Sequence, residues 1–591
     1  MSHESGTPIL EDAITFEILP IELDGEIEKV MLPALEPADI EQLNPIIPPT
    51  SGIRLKILDK VEDQDLYTCP ASKSCLFLRL FKAISTILLG KLGRPANILI
   101  TSDERPTSDF LVKLAIRIIA QDDHRMQVQQ TIAGPVELST FSHSGMSTPY
   151  SSATLALFPD LDGVIMITAS HNSAVWNGVK FYYKQPIPIA GDLMKEISVA
   201  AIDVGDIPMK PAEGITLEGR NFETEINDYV QKLVQEIIPV EGMVGKPVVL
   251  WPYMGEAKEG QDLLRRFGVD VILVGKTMEP PDPTVNFSFE EVKGYLEEHG
   301  SSVAVLLDAD RDRIVFLIKA GEEYVQLNPN ELYTAMHNIL CKEFGKKIIN
   351  VRTVPSDPRC DNTVACTIES GVGYKHLGII QYLACNQEVD MSQFESALIY
   401  GKEGNQRTKL DTPEKLLDFI GNRVSDISDT IMMALWEESG GHTINLVRPK
   451  HEDDRFVGLE ALTPLIGDKF PAPAIVLLCE LIYRGFDVAG AIDTTIAGSR
   501  VEIEADDRRK KEIMDALETL IGTQVEIAGE TYAISDYRDN AGLLDIICLS
   551  REESTLFARP SGTGNSVRIY RFGKRETADE LARIADYIKE F

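Results

Sequence analysis

The sequence predicts a multidomain α/β protein with an α+β domain at its C-terminal end. Three observations carry this. The chain has 591 residues, too many for one hydrophobic core and enough for about four domains. Short apolar strand-like runs alternate with helical stretches, and the alternation restarts near residues 246 and 347. Past about residue 490 the rhythm changes to one strand, a helix, several further strands and a final helix. The expected segments are an acidic extension over 1–40, α/β domains over 41–240, 241–346 and 347–490, and an α+β domain over 491–591.

The elements follow in order. Residues 1–40 are acidic and dotted with proline, an extension packed on or loosely tied to the first domain. Residues 96–100 read as a strand, and Ser108 as the N-cap of a helix carrying Leu111, Leu114, Ile116 and Ile119. Residues 163–167 form another apolar strand. In the second unit of the rhythm, 246–250 and 269–273 are strands around a helix over 259–267, with strand-like runs at 303–307 and 314–318. Residues 347–351 open the third unit. At the end, 500–503 alternates as a strand, 507–520 is a helix, and Thr577 with Glu580 reads as the capping box of the last helix.

Composition narrows the classes. No apolar run approaches the ~18 residues of a membrane helix, and the start Met1-Ser2-His3-Glu4-Ser5 has neither basic flank nor apolar core, so neither membrane nor signal peptide is expected. The eight cysteines are scattered without a C-x-x-C pair, which suits a reducing cytoplasm. A net charge of −34 argues against nucleic acid as partner. An anionic substrate would need a locally basic site.

Four polar stretches have the chemistry of phosphate or of a metal beside one. In Thr168-Ala169-Ser170-His171-Asn172, Ser170 follows an apolar strand, where open α/β sheets bind ligands. A serine needs an activating base or charge, and His171 and Lys180 are within reach in sequence. The alternative is a turn whose Ser170 caps the next helix. Asp308, Asp310 and Asp312 alternate in one loop and suit a hard divalent cation. An EF-hand is excluded by Arg313 at its sixth position and Lys319 at its twelfth. A solvated charged hairpin is the other reading.

Glu437-Glu438-Ser439-Gly440-Gly441-His442 offers acceptors and a hydroxyl suited to a sugar, or else ends a helix over 432–436. Arg559-Pro560-Ser561-Gly562-Thr563 combines an arginine fork, hydroxyls and exposed amides, with Arg568 on the next strand, as an anion cradle or a plain turn. P-loop, Rossmann and G-x-S-x-G patterns are all missing from the sequence.

Together these stretches resemble the α-D-phosphohexomutase superfamily, in the family's order, from about residue 45 onward. Thr50-Ser51-Gly52-Ile53-Arg54 is similar to its N-terminal loop, residues 168–172 with Asn177-Gly178 and Lys180 to its phosphoserine loop, and 308–313 to its metal loop. Gly373-Tyr374-Lys375 resembles a turn of the third domain, 437–442 the sugar loop and 559–563 the phosphate loop.

The resemblance implies three similar doubly wound α/β domains and a TBP-like fourth around a central cleft. It implies a phosphoglucomutase-like isomerase, with phosphomannomutase, phosphopentomutase or a non-catalytic phosphosugar-binding protein as alternatives. Ser170 would carry the phosphoryl group and, with Asp308, Asp310 and Asp312, hold Mg²⁺. Glucose 1-phosphate and 6-phosphate would interconvert through a bound glucose 1,6-bisphosphate. His171 and Lys180 would assist the transfer. Arg559, Ser561 and Thr563 would hold the non-reacting phosphate, Glu437 and Ser439 the sugar hydroxyls, and Arg54, Lys375, Arg568 and Arg313 would complete the substrate site.

The sequence departs from the family at Ser173 (proline there), Trp436 (glycine) and Gly564-Asn565 (Glu-Pro). The interval from Lys375 to Glu437 is long, and Gly401-Lys402-Glu403 is a rival for the sugar loop.

Overall fold

The computed structural model describes residues 9, 11–17, 29–44, 52–62, 64, 66–189, 191–212, 214–561, 566–577 and 579–591. Thr50, Ser51 and the stretch Gly562-Thr563-Gly564-Asn565 lie outside them. The chain forms two compact units: Met1–Asn328 with Asp468–Gly485, and Pro329–Gly467 with Phe486–Phe591.

The first unit holds two large sheets. One is built from β1 (Ile53–Lys56), β2 (Asn97–Ser102), β3 (Arg125–Gln129), β4 (Gly134–Glu137), β5 (Gly163–Ile167), β6 (Trp176–Tyr183) and β7 (Thr216–Arg220), in the order β1-β6-β5-β2-β3-β7-β4. Its centre is parallel and its edges antiparallel. Every residue of β2 and β5 is buried, which explains the continuous apolar run of β5 and the apolar Ile98-Leu99-Ile100 of β2. The other sheet has β8 (Pro247–Pro252), β9 (Asp270–Leu273), β10 (Val303–Leu307), β11 (Ile314–Ala320) and β12 (Glu323–Leu327), ordered β9-β8-β10-β11-β12.

The second unit holds the third sheet: β13 (Lys347–Thr353), β14 (Cys366–Ser370), β15 (Ile399–Glu403), β16 (Gln406–Lys409), β17 (Ile431–Trp436), β18 (His442–Glu452) and β19 (Arg455–Ala461), ordered β16-β15-β14-β13-β17-β18-β19. Its fourth sheet is wholly antiparallel: β20 (Ile496–Glu504), β21 (Gln524–Ile527), β22 (Glu530–Arg538), β23 (Leu544–Arg551), β24 (Ser554–Pro560) and β25 (Ser566–Lys574), ordered β20-β25-β24-β23-β22-β21. Helices Asp507–Glu518 and Glu580–Lys589 pack on it. The α/β class with an α+β C-terminal part is thus what the sequence predicts.

The first three sheets share one wiring. A central strand (β2, β8, β13) has the next parallel strand on one side (β3, β9, β14). A third parallel strand lies on its other side (β5, β10, β17), followed by an antiparallel return strand (β6, β11, β18).

Three local expectations are corrected. Thr107, not Ser108, is the N-cap of Ser108–Ile119; Ser108 Oγ instead donates to Asp103 Oδ1 at 3.2 Å. Thr577 and Glu580 form no capping box: Asp579 is the N-cap, and buried Glu580 accepts from Ser554, Tyr532, Arg551 and Arg571. Residues 432–436 are not helical but lie in β17, fully buried and apolar.

The described parts of the extension pack on the first sheet's helices. Ile14–Phe16 pairs with Tyr67–Cys69, and Arg79 donates to Pro33 O at 2.8 Å. All eight cysteines are unpaired. Among the described residues no helix is long and apolar enough to cross a membrane.

Candidate functional site

The shared wiring sorts the polar stretches. The loop between the third parallel strand and its return strand holds Ser170 in the first sheet, Asp308, Asp310 and Asp312 in the second, and Glu437 to Gly441 in the third. These are carboxyl ends of buried strands, where such sheets bind ligands. The rival Gly401-Lys402-Glu403 lies inside β15. There a Cβ on Gly401 would meet the Phe419 ring at 2.3 Å, and Lys402 pairs with Asp361 at 2.7 Å.

Ser170 is buried, with φ of 57°. That left-handed conformation is costly for a residue with a Cβ, and the surroundings enforce it. The Ser170 N–H donates to Thr168 Oγ1 at 2.7 Å, and Thr168 donates to Asp103 Oδ2 at 2.6 Å. Arg105, ion-paired to Asp103 at 2.9 Å, donates to the carbonyls of Ser170, Asn172, Ser173 and Trp176. His171 Nδ1 lies 3.3 Å from Ser170 Oγ. Gly178 is required on β6, because a Cβ there would meet Ile53 O at 2.4 Å and Thr168 O at 2.8 Å.

The carboxylates of Asp308, Asp310 and Asp312 are buried, with one oxygen from each lying within 4.8 Å of the others. Asp308 Oδ1 accepts the N–H groups of Asp312 and Arg313 at 3.0 and 3.1 Å, which curls the loop. Asp308 Oδ2 and Asp310 Oδ1 accept no hydrogen bond. Buried carboxylate oxygens left open on converging side chains fit a hard divalent cation. Lys180 Nζ lies 2.7 Å from Asp310 Oδ2 and 3.4 Å from Asp312 Oδ2, while Thr148 donates to Asp310 at 2.7 Å and Lys469 to Asp312 at 3.4 Å.

Burial raises the Asp308 carboxyl well above its ordinary value, and the neighbouring Asp312 and Asp310 raise it further. Burial also opposes ionisation of Asp310, but Lys180 outweighs it and holds this carboxyl low. Arg54 on β1 faces the same charges, and burial lowers it to about 10. Arg313, expected at the substrate, is ion-paired to Asp282 at 2.8 Å. The segment 279–282 touches both loops: Glu279 accepts from Ala174 N–H at 3.2 Å, and Pro281 O from Ala309 N–H at 3.1 Å.

In the second unit, Ser439 Oγ donates to Glu437 Oε1 at 2.6 Å, and Tyr333 OH donates to Gly440 O. Glu438 is raised by burial and by Glu437, against the opposing charges of Arg500, Arg568 and Arg559. The expected sugar and phosphate loops of this unit therefore share one electrostatic cluster. Lys375 is the second residue of the helix Tyr374–Ala384; burial lowers its ammonium, opposed by Asp545 and assisted by Arg559. Arg559 lies 3.7 Å from Asp545, and Arg568 pairs with Glu502 at 2.9 Å. Ser561 N–H donates to Ser566 O at 2.8 Å; Thr563, between them in sequence, lies outside the described residues. Trp436 points into the core, where its Nε1 donates to Asn350 Oδ1 at 2.7 Å.

Sequence reasoning missed Asp103, Arg105, Thr148, Asp282 and Lys469. Asp103 follows directly on β2 and Arg105 lies two residues further on, and Thr148 precedes a proline at a helix start. Those signals were present but ordinary. Nothing local marks Lys469 or Asp282 as neighbours of the aspartates.

Residues 50–203 match the family model for phosphoglucomutase/phosphomannomutase, alpha/beta/alpha domain I. Phosphoglucosamine mutase of Jannaschia sp. (strain CCS1) is 29% identical over 185 residues, 30% of this chain and 38% of the relative. That of Ligilactobacillus salivarius (strain UCC118) is 29% identical over 256 residues, 41% of this chain and 54% of the relative. The chain thus spans about half the length, or less, of these curated relatives. In fold it is similar to the Paramecium phosphoprotein pp63/parafusin, a phosphoglucomutase, with a TM-score of 0.56 at 15% identity, covering 95% of each chain. A phosphoglucomutase/phosphomannomutase family protein of Burkholderia thailandensis gives 0.54 at 14% identity, covering 92% of this chain and 96% of that one.

Proposed function

We propose that this chain, a member of the α-D-phosphohexomutase superfamily, is a mutase that moves a phosphoryl group between O1 and O6 of a hexose, glucose foremost. The observation that carries this is the pair of loops in the first unit: a buried serine held in the left-handed region beside an imidazole, and a buried aspartate triad with open oxygens. A protein that only binds a phosphosugar has no use for either.

Asp308, Asp310 and Asp312 would hold Mg²⁺, which when bound supplies positive charge to an oxygen of the transferring group. In the first half-reaction the bond from Ser170 Oγ to phosphorus breaks and a bond from the sugar O6 forms. The O6 proton passes to a base, for which the His171 imidazole beside Ser170 Oγ is the candidate. The second half-reaction returns the other phosphoryl group from the bound bisphosphate to Ser170. Arg105 would hold the serine loop by its carbonyls, and Lys180 would screen the phosphoryl charge. Positioning and charge neutralisation are what this chemistry demands of a protein. In the second unit Arg559, Ser561 and Lys375 would hold the non-reacting phosphate and Glu437 with Ser439 the hydroxyls. A reducing cytoplasmic location suits eight unpaired cysteines.

The test is turnover of glucose, mannose, glucosamine and ribose 1-phosphates with Mg²⁺ and a bisphosphate primer, alongside intact mass of the protein and of Ser170→Ala. A single added phosphoryl group that disappears in Ser170→Ala, with turnover of at least one hexose phosphate, is the expected result. No turnover on any of the four and no phosphoryl group would defeat the proposal. Turnover of glucosamine 1-phosphate ahead of glucose would move the substrate to that of the curated relatives.

A further inference from the structure

Three consecutive residues at the end of β2 reach both loops of the first unit. Asp103 and Arg105 hold the Ser170 loop, as described above. Glu104, between them, turns the other way. Its Oε2 accepts from Arg311 Nη1 at 2.9 Å and from the Glu256 N–H at 3.0 Å. Arg311 sits inside the metal loop, between Asp310 and Asp312, with φ of 59°. A left-handed arginine persists only where its surroundings over-determine it. Here the residue is 4% exposed, and its guanidinium is held on a second side by Glu259 at 2.5 Å.

The space around Glu104 is equally specified. A Cβ on Gly255 would meet Glu104 Oε2 at 1.7 Å, and one on Gly145 would meet its Cγ at 2.3 Å. Two glycines therefore leave a slot that the glutamate side chain fills.

We propose that Glu104 is a positioning residue that keeps the metal loop in register with the serine loop, acting through Arg311. Its catalytic consequence rests on the phosphohexomutase reading. The mechanism is geometric. Asp103, Glu104 and Arg105 share one stretch of backbone, so any shift of Arg311 against Glu104 is a shift of the aspartate triad against Ser170. Transfer chemistry is sensitive to displacements of about 1 Å.

The experiment titrates Mn²⁺ into the metal-free protein by calorimetry and measures phosphoryl transfer for the same samples. Glu104→Gln keeps the shape and removes the charge, and Arg311→Lys keeps the charge and removes the fork. Each is expected to weaken Mn²⁺ binding by about tenfold, the low end for partners that orient metal ligands. Each should also lower kcat by a similar factor, with KM for the sugar phosphate changed less than about twofold. The double variant should lose no more than either single, because both break one contact.

Glu218→Gln, at an exposed pair with Arg125 on the first sheet, is the control that should change nothing. Mn²⁺ affinity and kcat unchanged in both variants, or losses that add in the double, overturn the proposal. Asp308→Asn separates the two levels. If it abolishes Mn²⁺ binding while Glu104→Gln does not affect it, the clamp alone is wrong. If it too leaves binding unchanged, the metal assignment fails and the clamp with it.

Discussion

Lys180 and Asp310 form a buried ion pair, with Nζ 2.7 Å from Oδ2, both side chains less than a tenth exposed. Asp310 and Asp312 keep the ammonium ionised although burial opposes it. The lysine is thus one of the cations around the three carboxylates, with Lys469 and Arg313. Lys180→Met leaves Asp310 buried without its ion-pair partner, which costs about 3–5 kcal/mol for a broken buried pair. The variant should unfold at lower temperature than the parent without Mg²⁺ and recover more of the difference than the parent when Mg²⁺ is added. Thermal unfolding with and without the ion checks this.

Arg105→Gln acts on the other loop. It removes a cation that reaches four carbonyls and leaves Asp103 buried without its partner. Stability should fall by about 3–5 kcal/mol. Phosphoryl content at Ser170 should fall at least tenfold, while Mn²⁺ affinity stays within about twofold of the parent. Intact mass and calorimetry on one preparation measure both.

Glu223 gives a pH dependence. Burial, reinforced by Glu259, pushes its carboxyl up to about 8 from an ordinary value of 4.5. The folded protein therefore keeps a proton that the unfolded chain releases. Its contribution is fully present below about pH 4.5 and is lost as pH rises to about 8, with a slope of at most about 1.4 kcal/mol per pH unit. Urea unfolding from pH 5 to 8 should show stability falling in the parent, with a shallower slope in Glu223→Gln.

Trp436 stands just before the Glu437 loop, yet it fills the core and bonds Asn350. Trp436→Phe should lower stability by about 1–3 kcal/mol, through the unsatisfied buried amide and lost volume. The ranking of sugar phosphates should be unchanged. A changed ranking would show that the indole bears on the substrate.

Much of this was legible along the chain. Ser170 and the three aspartates could be read because strand, loop and functional side chains are contiguous. Glu437 could be found, with Gly401 left beside it as a weaker rival, since a glycine followed by a charged residue looks the same in a loop and inside a strand. Only the pairing of β15 with β14, and the wall of Phe419 beside Gly401, separates them. The cap at Ser108 was misplaced by one residue because Asp103, five residues away, engages its hydroxyl. Thr577 and Glu580 failed as a capping box because two arginines, a tyrosine and a serine hold Glu580 more strongly than a helix end does.

By itself the sequence determined the α/β class, the change to α+β near the end, and the residue types able to carry phosphate and metal chemistry. These depend on periodicity and on side chains adjacent in the chain. Tertiary structure decided what depends on long-range pairing. It put the three loops at one equivalent position of three similarly wired sheets, brought Lys180, Thr148 and Lys469 to the aspartates, and set Glu104 against Arg311. Those partners lie 130 to 207 residues apart on elements of two separate sheets, and the packing of one sheet's loops against the other's, not sequence spacing, brings them within hydrogen-bond range.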